Sequence, residues 1–169
     1  EKQRLRWDIL DAFAEAAQQA GIPATADFNH GTNEGVGYFE VNQKAGWRWN
    51  TAKAFLRSAR QRPNLTVWTG AQVKRLTLQR QPNGEWRCTG AEVVRNGQTQ
   101  QVTATREVVL SAGAIGSPQI LQLSGLGPGA LLHQHGIGPL VDLPGVGSNL
   151  QDHLQIRAVF KVQGAKTLN

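Results

Sequence analysis

Four histidines, one cysteine and one small-residue corner are the places in this 169-residue chain where chemistry could begin. Histidine suits proton transfer near neutral pH because its ordinary pKa lies there. His30 falls in a turn-rich stretch, where exposure is the simpler expectation. His133 and His135 are two apart on an expected short helix, so they face different ways and make a poor metal pair. His153 follows Asp152 in "NLQDH". The two could share a hydrogen bond, yet sequence neighbours often point apart, and a structural role outweighs a catalytic one. Cys88 lies on an expected hairpin strand and reads as a small packed side chain. Being alone, it forms no internal disulfide and fits a reducing compartment. No metal site is expected.

The corner is in "VVLSAGAIGSPQILQLSGLG", residues 108–127. An apolar run stops at Ser111, Ala112, Gly113, Ala114 and Gly116, and a second apolar pattern follows. Ser117 suits a helix N-cap and Pro118 the first helical position, so the unit reads as strand, glycine turn, helix start. Free N–H groups at such a start favour electron-rich ligand groups, and missing side chains let a backbone approach closely. Those are the needs of a nucleotide cofactor at the end of a sheet. A tight turn chosen for packing explains the same residues equally well. No strand followed by G-x-G-x-x-G is present, and "GLGPGA" does not qualify, since Pro128 removes a donor.

The elements around the corner can be read from periodicity. Leu5, Ile9, Ala12, Phe13, Ala16 and Ala20 recur at helical spacing, and Gly21 and Pro23 end that helix. Residues 37–41 suggest a strand and residues 51–61 a second helix. "LTVWT", "QVKRLTLQ", "EWRCTGAEVVR" and "TQQVTAT" read as strands, with hairpin chemistry at Pro82-Asn83-Gly84 and Asn96-Gly97. An antiparallel meander is expected, then a short buried strand over 107–111. Helices follow over 117–123 and 130–134, then an irregular loop, then a strand over 154–162. The five tryptophans are scattered, without base-stacking spacing.

Size and charge set outer limits. At 40% hydrophobic residues the chain can build a core, and no apolar run reaches a membrane span. The formal charge is +6, but no Lys or Arg occurs from Glu107 to Ile156, a stretch holding nine of the 19 glycines. The basic residues elsewhere are interspersed with acids, which argues for a solvated surface rather than nucleic-acid binding. The chain has no methionine, starts in a helical pattern and stops at "GAKTLN", so it reads as a piece of a longer protein.

"SAGAIGSPQILQLSGLGP" followed by "LPGVGSNLQDH" resembles the second signature region of the glucose–methanol–choline (GMC) oxidoreductase family. "ADFNHGTNEGVGYFEVNQKAGWRWNTAKAFL", "RPNLTVWTGAQVKRL" and "REVVLSAGAIGSP" are similar to its other segments, in order and spacing. The resemblance covers nearly the whole chain and is nearest to bacterial choline-dehydrogenase-like alcohol dehydrogenases.

The resemblance implies a mixed α+β fold: a fragment of an FAD-binding domain with the antiparallel meander, plus part of a substrate domain. It assigns residues 1–26 and 63–153 to the FAD-binding region, and 27–62 and 154–169 to the substrate region. It implies that Val73 meets the adenine end of FAD through its backbone, and that Ser111, Ala112 and Gly113 run beside the cofactor. The implied reaction is hydride transfer from an alcohol to flavin, with a small-molecule alcohol as substrate of the intact protein. Neither the family's N-terminal dinucleotide fingerprint nor its C-terminal active-site histidine is in this sequence, so the piece alone is expected to be inactive. Asn29-His30 replaces the usual Asn-Gly, and Trp49-Asn50 a small or serine-containing pair, so local turns there are expected to differ. No nucleic-acid partner is expected. Self-association through unpaired edges is, and the cytoplasm is the expected compartment, with membrane association of the intact protein left open. The alternative is a non-catalytic, β-rich interaction module with a basic surface.

Overall fold

The computed structural model describes residue 2 and residues 4–166. The chain mixes helices with antiparallel strands and divides into two compact units, Glu1–Val67 with Ile156–Asn169, and Trp68–Gln155.

In the first unit, α1 spans Asp8–Gln19. Asp8 and Asp11 occupy its first turn, where the helix dipole favours negative charge. It stops at Gly21, whose φ of +92° lets Gly21 N–H donate to the Gln18 carbonyl and Ile22 N–H to that of Ala17. The expected apolar stripe does not become a core face, for Phe13 is 62% exposed. Residues 37–41 form no ladder; Val36 makes one isolated bridge to Ala24 instead. A hairpin of β1 (Gln43–Lys44) and β2 (Trp47–Arg48) turns at Ala45 and Gly46, both at positive φ. The expected second helix is shorter and irregular: Ala52–Leu56 is π-helical and α2 covers Arg57–Ala59.

The second unit is built on the expected meander. β3 (Ala71–Arg80), β4 (Trp86–Arg95) and β5 (Gln98–Thr103) pair antiparallel in that order. Asn96 and Gly97 take φ of 52° and 75°, as a two-residue hairpin turn requires. β4, paired on both sides, carries the buried Glu92 and Val93. Gly90 is required for close approach, since a Cβ there would run into the Val102 carbonyl of β5. Beyond the sheet come α3 (Gly113–Leu123), β6 (Leu126–Gly127), α4 (Gly129–Gln134) and β7 (Val141–Asp142). β6 and β7 pair in parallel, and Asp142 Oδ1 accepts the Gly129 N–H at 2.8 Å, capping the start of α4. Ile120 of α3 and Leu132 of α4 join Val93 as the buried apolar side chains among the described residues, and Ser124 is buried with them.

Three further expected strands do not form. Residues 65–69 are irregular, and the "buried strand" over 107–111 has no ladder partner among the described residues, with Val109 78% exposed. Residues 154–162 likewise carry no strand, and Leu154 is 94% exposed. The reason is the same in each case: alternation marks a segment able to pair, but a strand needs a neighbour to satisfy its backbone.

Candidate functional site

The glycine corner and the free edge of the meander are brought onto one groove. α3 packs along β3, and a groove of about 650 Å³ runs between them, lined by Val73, Lys74, Arg75, Glu92, Ala112 and Gly116 among others. Val73 and Ala112 therefore share one surface. Ser111 and Gly113 flank Ala112 in the chain and are exposed, but they do not line the groove.

The corner is built differently from the sequence expectation. α3 starts at Gly113, four residues before Ser117, and Ala112 is the N-cap. Gly113 takes a φ of +89°, which disfavours any side chain, and a Cβ there would meet nothing within 4 Å. Ser117 is no cap from outside the helix; its Oγ reaches back and accepts the Ala112 N–H at 3.0 Å. Pro118 lies inside the helix, where it has no proton to give the Ala114 carbonyl.

On the other wall, a β-bulge interrupts the β3–β4 register. Val73 faces Val93 and Arg75 faces Glu92, leaving Lys74 as the extra residue. Backbone groups of a strand alternate between its two edges, and the bulge resets that alternation. Leu76 N–H points away from β4, because it donates to Ser124 Oγ at 2.7 Å. With one residue absorbed by the bulge, Val73 lies in the same outward row as Leu76. Its carbonyl accepts the Gln72 side-chain amide at 3.3 Å.

Glu92 organises the bulge. Its side chain is 9% exposed, against 51% for Lys74 and 61% for Arg75. Lys74 Nζ stands 3.0 Å from Oε1, while Arg75 Nη2 and Nε stand 2.9 Å and 3.1 Å from Oε2. The hydrogen bond from Lys74, then that from Arg75, holds the Glu92 carboxyl below its ordinary range, although burial acts the other way.

A second groove, on the other flank of α3, is lined by Ala114, Ile115, Pro118 and Gln119 against residues 147–151. Gln122 Nε2 donates to the Val146 carbonyl at 3.0 Å and holds that loop against the helix.

The histidines stay apart from both grooves. His30 is exposed, 3.6 Å from Asp27. His133 lies on α4 and His135 is its C-cap. Asp152 accepts a hydrogen bond from the backbone N–H of His153 at 2.9 Å. Cys88 is half-buried, its thiol 3.5 Å from the Gly90 carbonyl. No group of three or more His, Cys, Asp or Glu able to hold a metal occurs among the described residues. Sequence reasoning does not single out Glu92 or Ser124. The adjacent cations Lys74-Arg75 give no sign of Glu92 either, since neighbours in a regular strand face opposite ways.

A family model described as GMC oxidoreductase matches residues 4–155. Among relatives, an oxygen-dependent choline dehydrogenase of Photobacterium profundum is 44% identical over 161 residues, covering 95% of this chain and 28% of that protein. An alcohol dehydrogenase (acceptor) of Pseudomonas putida is 42% identical over 150 residues, covering 88% of this chain and 26% of that protein. Two solved structures share the fold. The FAD-dependent oxidoreductase from Chaetomium thermophilum superposes with a TM-score of 0.74 at 27% identity, over 85% of this chain and 25% of its own. Pyridoxine 4-oxidase from Mesorbium loti does so with a TM-score of 0.67 at 35% identity, over 81% and 26%. The chain belongs to the GMC oxidoreductase family. It spans little more than a quarter of the length of the relatives it matches.

Proposed function

We propose that this chain is the central part of an FAD-dependent oxidoreductase that oxidises the CH–OH group of a small alcohol, choline or a similar one. The observation that carries the reading is the meeting of the corner and the outward edge of Val73 on one groove, in a chain whose family match runs through both. The residues fit the adenosine end of FAD. Val73 offers a backbone N–H and C=O on an edge row, the corner carries only small side chains, and Gly113 leaves open space beside it. When bound, FAD would supply the acceptor for the hydride leaving the alcohol carbon.

The chain's own part is to bind and orient. Val73 would hydrogen-bond the base, with the Gln72 amide giving way at its carbonyl. Ser111, Ala112 and Gly113 would run beside the cofactor. Alcohol oxidation also needs a base within hydrogen-bond reach of the hydroxyl. No histidine stands in either groove, so that base is expected from another part of the protein. The second reading, a basic interaction module, rests on the +6 charge alone, whereas the family match runs over residues 4–155.

The test is optical. The full-length protein should purify with flavin absorbance in the visible and lose it when an alcohol substrate is added without oxygen. The 169-residue chain mixed with FAD should oxidise no alcohol. A full-length protein without flavin overturns the reading.

A further inference from the structure

Resting on the FAD reading above, we propose that Glu92 is a positioning residue for the cofactor. By holding Lys74 and Arg75 on one face of the sheet, it fixes the bulge that turns the Val73 backbone outward to the groove.

In an unbroken strand the backbone groups of residues three apart point to opposite edges. Leu76 is pinned outward by Ser124, a nearly buried hydroxyl that also donates to the Ile120 carbonyl at 2.6 Å. If Lys74 fell into regular register while Leu76 stayed pinned, Val73 would turn its N–H and C=O toward β4. The groove would then lose the donor and acceptor that the base needs. The bulge is thus the condition for an outward Val73.

Nothing in the backbone makes Lys74 choose the bulged arrangement; its side chain does. Two cations adjacent in sequence both reach one carboxylate, and that carboxylate is anchored on β4, the central strand. Such half-exposed pairs add only modestly to overall stability. Their effect here is on geometry, because Glu92 is sequestered and cannot follow the two cations elsewhere.

The experiment measures FAD affinity of the full-length apoprotein by flavin fluorescence quenching, and ADP as a competitor that carries only the adenosine half. Losing both the donor and the acceptor for the base corresponds to about thirtyfold. Glu92→Gln is expected to weaken FAD and ADP binding by that same factor. It should also slow amide hydrogen exchange at Val73 in the apoprotein, as the group turns into the ladder. Glu92→Asp, which keeps the charge, should recover most of the affinity. Unchanged FAD and ADP affinity in Glu92→Gln overturns the positioning role while leaving the function intact. So does a loss with Val73 exchange unaltered and no recovery by Asp. A wild-type apoprotein that takes up no FAD overturns the functional reading, and this inference with it.

Discussion

At the scale of the residue, the strand wall of the groove turns on one carboxylate. Glu92 has its carboxyl lowered below the ordinary value of 4.5, first by Lys74 and then by Arg75. A lowered carboxyl contributes stability that is fully present above its unfolded pKa and disappears as pH falls through the folded pKa. The window therefore opens near 4.5 and extends below it. Urea midpoints measured from about pH 7 down to about pH 3 should fall more steeply for the wild-type chain than for Glu92→Gln, with the two curves converging at the acid end. Parallel curves would deny the coupling. None of this is legible in the sequence: Glu92 sits in the apolar run "AEVVR", and the one-letter string does not say which partners a lone acid will meet. Val73 is singled out only through family resemblance, since a valine in a strand carries no mark of an exposed backbone edge.

At the scale of the element, α3 is fastened to β3 by Ser124, which accepts from Leu76 N–H and donates within its own helix. Ser124→Ala leaves a part-buried N–H without its acceptor, a loss of about 1–3 kcal/mol, to be read as a shift in the urea midpoint. A change under a few tenths of a kcal/mol would mean water replaces the hydroxyl. Elements with their own local code are readable. The meander follows from alternation and from Asn96-Gly97, and the end of α1 follows from Gly21. The start of α3 is not readable, because Ser117 and Pro118 imitate a cap and a first turn. The actual start depends on the unusual φ of Gly113, and nothing in the string separates that glycine from Gly116.

At the scale of the whole molecule, few residues are buried and many large apolar ones are not. Leu154, Ile156, Val159 and Phe160 are each at least 75% exposed. Exposed apolar segments able to pair as strands invite association. The isolated 169-residue chain should therefore show a weight-average mass that rises with concentration in light scattering, and replacing Leu154 and Val159 by Gln should flatten that rise. A constant monomer mass at high concentration would contradict it. The strands expected over 107–111 and 154–162 fail for the same reason. Their patterns are those of pairing segments, and pairing is a property of neighbours rather than of the segment.

The two hairpins of the meander also bear on the order of events at the ribosome. Every ladder contact in β3, β4 and β5 joins residues close along the chain, so little loop entropy opposes their closure. The sheet can zip as soon as Thr103 clears the exit tunnel, before the later helices have emerged behind it. The following polypeptide then meets a finished platform, and α3 has only to dock.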